Sequence, residues 1–131
     1  MQVIDLDGKA HKLSFSANKN AKRRSKLCQE ALDLLKKIFP TMTPLEEVSI
    51  AVDSKTTLYL DIFFPLLSLV VEVQGEQHTK QSNFFHADKL AFGRQKVNDR
   101  RKKEWCEINN IRLVELQYDQ KDRWEDLINE R

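Results

Sequence analysis

The apolar positions at the start of the chain change their spacing once, from strand-like to helical. Two alternating segments, Gln2–Leu6 and Lys9–Phe15, flank an Asp-Gly pair, which indicates a β-hairpin. From about Ala21 to Phe39 the apolar residues recur at helical spacing, and Pro40 ends the run. The pattern therefore predicts a hairpin over about residues 1–15, followed by one amphipathic helix.

Three strand-like segments follow this helix. Glu47–Val52 alternates apolar and polar residues, Thr57–Phe64 is rich in β-forming residues, and Leu67–Val73 is apolar at consecutive positions. A continuous apolar run suits a central strand that is covered on both faces. The connections at residues 53–55 and 65–66 are short enough to be hairpin turns, so the pattern predicts an antiparallel meander.

The rest of the chain predicts a helix, a strand and a second helix. After a polar loop, a long helix is expected from about Ala87 to Ile108, with four apolar residues facing the core: Leu90, Val97, Trp105 and Ile108. A strand is expected over Ile111–Tyr118 and a short helix over Arg123–Asn129. We therefore expect an α/β fold with a mixed β-sheet flanked by helices. It should form one domain over residues 1–131, with its core at about residues 21–131.

The composition is typical of a globular protein, with 40% apolar and 32% charged residues. No apolar run approaches the roughly 18 residues of a membrane span. The N-terminus also lacks the pattern of a signal peptide, so a cytoplasmic location is expected. The two cysteines, Cys28 and Cys106, lie far apart and outside any Cys/His cluster, which argues against a zinc site of the usual spacing.

The basic residues are clustered, although the net charge is only +2. One cluster overlaps the start of the first predicted helix and contains Lys19, Lys22, Arg23, Arg24 and Lys26. The other lies on the long predicted helix and contains Arg94, Lys96, Arg100, Arg101, Lys102 and Lys103. A near-neutral protein with such clusters can bind a polyanion locally. Basic runs on helices are as often solvated faces, and the charge pattern alone does not separate the two interpretations.

Two carboxylates lie inside otherwise apolar strands. Asp61 interrupts the second predicted strand, and Glu72 lies near the end of the third. An ionised carboxylate in a core strand is costly unless it is paired or bound to a cation. Because a tight turn joins the two strands, the carboxylates can come close together, and a shared divalent cation would relieve their repulsion. Oxygen ligands suit Mg²⁺.

A histidine and an aspartate complete the candidate active site. His78 lies in the polar loop after Gly75, where a neutral imidazole could take a proton from an attacking water. A lone loop histidine is more often just a surface residue. Asp99, inside the second basic cluster, could orient that imidazole or form a salt bridge within its own helix. His86 and Asp88 are a second His/Asp set, which we rank lower because both could simply begin the helix.

The order of these residues resembles that of a known group of nucleases. Asp61 is followed by LVVEVQGEQH at 69–78, VNDRRK at 97–102 and IRLVEL at 111–116. This order resembles the catalytic core of the very-short-patch repair (Vsr) endonucleases. It is also similar to phage homing endonucleases with the EDxHD signature, a branch of the PD-(D/E)XK nuclease superfamily. The resemblance covers about the C-terminal two-thirds of the chain and implies a restriction-endonuclease-like core.

The resemblance also implies roles for single residues, carried over by position. Asp61 and the main-chain carbonyl of Val73 would bind the metal, Mg²⁺ or Mn²⁺. His78 would be the general base and Asp99 its partner. Glu30, in the first helix, would act through metal-bound water.

The chain departs from the family pattern in three respects. Gln74 stands where the superfamily often has a lysine, so no ammonium is available there, although a glutamine could orient a water or contact a phosphate. Glu72 fits the glutamate of the general superfamily pattern and could bind metal, but the repair endonucleases do not depend on it. The zinc-binding residues and the wedging aromatic residues of the repair enzymes are missing, which argues against mismatch repair.

The expected function is metal-dependent hydrolysis of phosphodiester bonds in DNA. One active site favours nicking, unless two copies assemble into a homodimer. Phosphate contacts are expected from six basic residues: Arg23, Arg24, Arg94, Arg100, Arg101 and Lys102. One alternative is a nucleic-acid-binding module with the nuclease fold and little activity. Another is a structural or inhibitory protein whose basic patch docks on an acidic partner. A phage-encoded protein would act in the host-cell cytoplasm.

Overall fold

A computed structural model describes residues 1–13, 25–75 and 86–130 of the chain. Within these ranges there are six strands and three α-helices, in the order β1 (Gln2–Ile4), β2 (Ala10–Lys12), α1 (Lys26–Ile38), β3 (Leu45–Ala51), β4 (Thr57–Phe64), β5 (Leu69–Gln74), α2 (His86–Ile108), β6 (Arg112–Gln117) and α3 (Trp124–Asn129). A short 3₁₀ turn, Pro65–Leu67, joins β4 to β5. None of the helices in these ranges has both the length and the apolar character that crossing a membrane requires.

The predicted order of elements is confirmed. β4 has the predicted bounds, and the other elements differ from prediction only at their ends. The described part of α1 begins after Ser25, whose hydroxyl accepts the N–H of Cys28 (3.1 Å) and so satisfies one of the free donors of the first turn. The predicted helical residues 21–24 lie outside the described residues. Gly8 has a φ of +85°, as the predicted tight turn between β1 and β2 requires.

β3, β4, β5 and β6 form one mixed sheet in that order. β3, β4 and β5 are antiparallel neighbours, whereas β6 runs parallel to β5. The chain returns from β5 to β6 through α2, because parallel neighbours need a crossover connection. The predicted antiparallel meander and the predicted mixed sheet are therefore both confirmed.

The two faces of the sheet are covered by different elements. The β1–β2 hairpin and the C-terminal end of α2 pack on one face. α1 and α3 pack on the other, through residues such as Leu35 and Trp124. Val70 and Val71 are adjacent in β5 and belong to these two separate clusters. β5 is thus covered on both faces, as its continuous apolar sequence predicts.

α2 presents a different side to the sheet from the one that its sequence predicts. Trp105 is fully buried, as predicted, but Val97 and Ile108 are 37% and 46% exposed, so placing them in the core was wrong. The predicted contact of Leu90 lies outside the described side chains. The inner side of the helix carries Lys102, Trp105, Cys106 and Asn109, which recur at the spacing of one helix face. A lysine and an asparagine in this set hide its periodicity in the sequence.

The side-chain alternation of β3 and β4 changes at one position in each strand. Leu60 and Ile62 belong to clusters on opposite faces, although alternate residues of a regular strand share a face. The pairing register is the same on both sides, with residues 48 and 60 paired as well as 46 and 62. Between these pairs lie Glu47, which has a φ of +49°, and Asp61. The local twist therefore rotates both strands at Glu47 and Asp61, so that the side-chain alternation is shifted beyond this point.

Replacing Glu47 by glycine should cost no stability, whereas replacing Ser49 by glycine should lower the free energy of unfolding by about 0.5–1 kcal/mol. Glu47 holds a left-handed backbone that glycine adopts without strain, while Ser49 lies in regular strand two residues away. Urea unfolding of both variants measures the difference. An equal loss in the two variants would contradict a left-handed conformation at Glu47.

Candidate metal and nucleic-acid site

β4 and β5 separate at Asp61, and side chains replace the main-chain ladder there. The ladder between the strands covers residues 62–64 and 69–71. One step further, the N–H of Asp61 donates to Oε2 of Glu72 (2.8 Å), and the N–H of Val73 donates to Oδ2 of Asp61 (2.9 Å). Each carboxylate thus satisfies a main-chain donor of the other strand. We call this point, formed by Asp61, Glu72 and Val73, the fork.

The main-chain carbonyl of Val73 also faces the fork. The carbonyl of the next residue, Gln74, accepts the N–H of Tyr118, so the Gln74 main chain is directed to the β6 side (2.9 Å). Neighbouring residues of a strand direct their main-chain groups to opposite sides, and the N–H of Val73 already points to Asp61. The fork therefore brings together a carboxylate and a main-chain carbonyl.

Lys102 of α2 reaches the fork from the face of the sheet that α2 shares with the β1–β2 hairpin. Its Nζ lies 2.6 Å from Oε1 of Glu72, and the two side chains are only 16% and 6% exposed. The neighbouring lysine pairs with the glutamate one strand further on, because Nζ of Lys103 lies 3.1 Å from Glu115. Glu72 and Glu115 are register partners on β5 and β6. Two consecutive lysines of α2 therefore neutralise two adjacent glutamates of the sheet.

Burial and the charges at the fork shift the pKa values of Glu72 and Lys102. Burial, and then the negative charge of Asp61, raise the pKa of Glu72 to about 7, against the attraction of Lys102. Burial lowers the pKa of Lys102, but the carboxylates of Glu72, Asp61 and Asp99 outweigh it and leave the pKa raised. Asp99 lies three residues before Lys102 on α2. Asp99 is therefore close enough to Lys102 for its charge to act on the ammonium.

A cleft of about 440 Å³ opens where β5 and β6 end beside α2. Two of the predicted catalytic residues, Gln74 and Asp99, line it. The other lining residues are polar or charged: Lys96, Arg100, Lys103, Glu115 and Gln117. Because Gln74 directly follows Val73, the cleft adjoins the fork. The structure thus brings together Asp61, Glu72, Val73, Gln74 and Asp99 around one end of the sheet.

Of the remaining predicted site residues, Arg100 lines the same cleft, and the others lie elsewhere or outside the described ranges. Glu30 pairs with Lys121, which follows the end of β6 (2.7 Å). Arg94 and Arg100 are exposed on α2. The hydrogen bond from the N–H of Lys55 is the main cause that lowers the pKa of Asp53, and the charge of Arg101 adds a smaller contribution. Arg101 therefore lies near the β3–β4 turn. His78, Arg23 and Arg24 are outside the described residues, so their predicted roles rest on the sequence.

The pairing of Lys102 with Glu72 could not be found by following the sequence. Lys102 is one of six bases in its cluster, and local spacing does not distinguish the one that turns inward. Gln117 was also missed, because a single glutamine at the end of a strand carries no signal by itself. Its position in the cleft follows from its register with Gln74 across two parallel strands.

The donor atoms at the fork are too few for a metal site built from protein ligands alone. They suit a magnesium ion that keeps several of its waters. Among the side chains that the structure describes, no three histidine, cysteine, aspartate or glutamate residues are grouped to hold a metal. Mg²⁺ usually keeps several waters and binds one or two carboxylates together with substrate phosphates. Asp61 and the Val73 carbonyl match that sparse donor set. Glu72 is a weaker candidate ligand, because its two oxygens already receive Lys102 and the N–H of Asp61.

The chain is similar to segments of two viral proteins. A segment of 65 residues is 42% identical to "Uncharacterized protein 307L" of Invertebrate iridescent virus 6 and covers 50% of this chain and 33% of that protein. A segment of 61 residues is 38% identical to "Uncharacterized protein 033L" of Invertebrate iridescent virus 3, covering 47% and 31%. The chain thus matches about a third of the length of these curated relatives. No family model and no solved structure matches it.

Replacing Lys102 by methionine should raise the pKa of Glu72 further, because the ammonium that opposes the rise is removed. Replacing Lys103 by methionine should leave it unchanged, since that lysine pairs with Glu115. Carboxyl ¹³C resonances followed against pH measure the pKa, with Glu72→Gln assigning the signal. An unchanged pKa in Lys102→Met would contradict the contact.

The same pKa fixes the sign of a stability effect. Folding raises the pKa of Glu72 from about 4.5 to about 7, so the folded state binds the proton more tightly. The contribution of this carboxyl to the free energy of unfolding is fully present below about pH 4.5. It is lost as the pH rises through about 7.

Proposed function

We propose that this chain is a metal-dependent endonuclease that hydrolyses phosphodiester bonds in DNA, with the fork as its metal site. One observation carries the proposal. Two carboxylates from adjacent strands meet where the strands separate, beside a main-chain carbonyl, a half-buried ammonium and a polar cleft. This arrangement supports the resemblance to the Vsr-like and EDxHD nucleases, and with it a restriction-endonuclease-like core.

In the proposed site, Asp61 and the Val73 carbonyl would hold Mg²⁺ or Mn²⁺. The ion would polarise the scissile phosphate and stabilise its developing charge. Asp61 is well suited to this task, because a carboxylate has about four lone-pair sites and the bond from Val73 uses one of them. Glu72 keeps the fork in shape by holding the N–H of Asp61.

Lys102 supplies the cation that is missing at Gln74. Its ammonium is fixed by Glu72, and the charges of Asp61 and Asp99 also raise its pKa. A fixed ammonium next to the metal site stabilises a phosphate and balances the two carboxylates when the ion is absent. Lys102 therefore acts at the fork rather than as one more exposed phosphate contact.

Proton transfer is assigned from the sequence. His78 would take the proton of the attacking water, and Asp99 would hold the imidazole in the required tautomer and stabilise its cation. Asp99 lines the cleft beside the fork. Glu30 would act from α1 through water, once its pairing with Lys121 is released.

Replacing Asp61 by asparagine should abolish cleavage while retaining DNA binding. The asparagine amide oxygen can still accept the N–H of Val73, so the fork keeps its shape, but the negative charge that attracts the ion is lost. We expect a loss of at least about a hundredfold in rate. The assay is relaxation of supercoiled plasmid with Mg²⁺ or Mn²⁺, and direct linearisation by monomers would overturn the expected nicking.

Lys102→Met and Lys103→Met form a matched pair for the same assay. We expect the first to lower the rate strongly and the second to have little effect, because only Lys102 contacts Glu72. The unchanged protein must cleave in Mg²⁺ or Mn²⁺. If it does not, the proposed enzyme is rejected.

The alternative is a nucleic-acid-binding module that has this fold and little activity. It is favoured by the bonds that Glu72 and Asp61 already make, since these bonds replace main-chain pairs that β4 and β5 lose. Carboxylates that only hold the strands together would not bind an ion. DNA binding without cleavage, in the unchanged protein and in Asp61→Asn alike, would favour this module.

Replacing Arg100 by glutamine should weaken DNA binding by a similar factor for all sequences and reduce the salt dependence of binding by about one charge. Arg100 is exposed and lines the cleft, where a phosphate can approach it. Fluorescence anisotropy at several salt concentrations gives the slope. An unchanged slope would remove Arg100 from the binding surface.

A further inference from the structure

β6 is an edge strand of the sheet, and part of its outer edge has no main-chain partner among the described residues. The N–H of Arg112 points to β5, because it donates to the carbonyl of Ser68 just before that strand (2.8 Å). Main-chain groups alternate in direction along a strand, so those of Leu113 and Glu115 point away from β5. These two residues therefore offer two donors and two acceptors along the outer edge.

The outward-pointing groups on either side of these two residues are already used within the chain. The N–H of Ile111 donates to the carbonyl of Cys106 in α2 (2.8 Å). The carbonyl of Gln117 accepts the indole N–H of Trp124 (2.8 Å). The open edge is thus limited to residues 113–115.

A cleft lies on each side of this open edge. The cleft on the α2 side has a volume of about 450 Å³ and is lined in part by Cys106 and Glu107. The cleft on the α3 side has a volume of about 300 Å³ and is lined in part by Leu127. Leu113 and Glu115 line both clefts, so the two clefts meet along the edge. A strand added at this edge directs alternate side chains to the two sides, where the clefts can receive them.

The opposite edge of the sheet is protected against such pairing. β3 carries two acidic residues, Glu46 and Glu47, and the φ of +49° at Glu47 interrupts its regular backbone. Charges and irregular backbone are means by which edge strands avoid pairing with another chain. β6 instead keeps a regular register with β5 over its whole length, contains no proline and has no fully exposed residue. Of the two edges, β6 is therefore the one that is suited to accept a further strand.

We propose that β6 pairs with β6 of a second copy of this chain, antiparallel and about a two-fold axis at Val114. In this register Leu113 of one copy lies opposite Glu115 of the other, and each such pair exchanges two main-chain hydrogen bonds. The open donors and acceptors of both copies are then all satisfied. The two four-stranded sheets join into one continuous sheet. This inference does not depend on the proposed nuclease activity.

The charges of α2 favour a second copy over an unrelated strand. Lys103 and Glu107 lie one turn apart on α2 and line the same cleft. Because Lys103 pairs with Glu115, this turn runs alongside residues 111–115. A two-fold axis at Val114 makes the α2 helices of the two copies antiparallel, so that Lys103 of each copy faces Glu107 of the other. A surface with both charges at this spacing is complementary to itself.

Glu115→Pro and Glu115→Ala form a matched pair that tests the strand pairing. Both variants lose the ion pair with Lys103, but only proline removes the outward N–H at this position. Proline is tolerated at a sheet edge where the N–H faces away from the neighbouring strand, so the pairing with β5 should be retained. Sedimentation velocity of the full chain without DNA should show a dimer for the unchanged protein and for Glu115→Ala. We expect Glu115→Pro to dimerise at least about tenfold more weakly.

Amide hydrogen exchange measures the same contact residue by residue. The N–H groups of Leu113 and Glu115 should exchange more slowly as the protein concentration rises, because they are bonded only in the dimer. The N–H of Arg112 is the internal control, since its bond to Ser68 is present in the monomer and in the dimer.

The outcomes decide the proposal without any assay of DNA cleavage. A chain that stays monomeric at all concentrations, or a dimer that Glu115→Pro leaves intact, overturns it. An equal loss in Glu115→Ala would assign the dimer to side-chain contacts and overturn the strand pairing. Protection of Leu113 that is independent of concentration would show an occupant other than a second copy. Where circular dichroism shows that Glu115→Pro does not fold, the concentration dependence of exchange in the unchanged protein decides.

Discussion

The separation of β4 from β5 is the constraint on which the site depends. A sheet satisfies its main-chain groups by pairing, so strands that part leave donors and acceptors that need other partners. Here the parting coincides with the turn of β3 and β4 at Glu47 and Asp61, which moves the following side chains to the other face. Two carboxylates take over the lost bonds, and this requirement brings two negative charges together near the end of the sheet.

The second consequence is the inward-facing lysine of α2. Glu72 is buried by the sheet and repelled by Asp61, and the ammonium of Lys102 compensates for part of that cost. A buried ion pair is weak ground for stability, because similarly shaped apolar residues often do as well or better. Stability of α2 on the sheet therefore does not by itself require Lys102. A site that needs a cation and two carboxylates in one place would require it, which is the physical argument for the proposed nuclease.

Much of the fold could be predicted from local sequence, because local rules determine it. The alternating run predicts β3, the run of β-forming residues predicts β4, the continuous apolar run predicts β5, and the Asp-Gly pair predicts the hairpin. α2 shows where this fails: its inner face includes Lys102 and Asn109, so counting apolar residues selects Val97 and Ile108, which lie outside the core. The contact between Lys102 and Glu72 spans 30 positions, and no local pattern specifies it. The carboxylates could be singled out because they interrupt apolar strands, whereas Gln117 is defined only by its register.

The structural and catalytic interpretations of the fork use the same bonds. They differ in how many acceptor sites each carboxylate has left for an ion. Glu72 already accepts two donors, one of them an ammonium, so an ion would have to displace Lys102 to gain it as a ligand. Asp61 accepts the N–H of Val73 through one oxygen and is less buried than Glu72. That bond orients the Asp61 carboxylate beside the Val73 carbonyl and leaves its negative charge unchanged. In the proposed site, a carboxylate that the main chain already holds in place would need little rearrangement to bind an ion, and the bonds that stabilise the fork are the same bonds that would position a metal ligand.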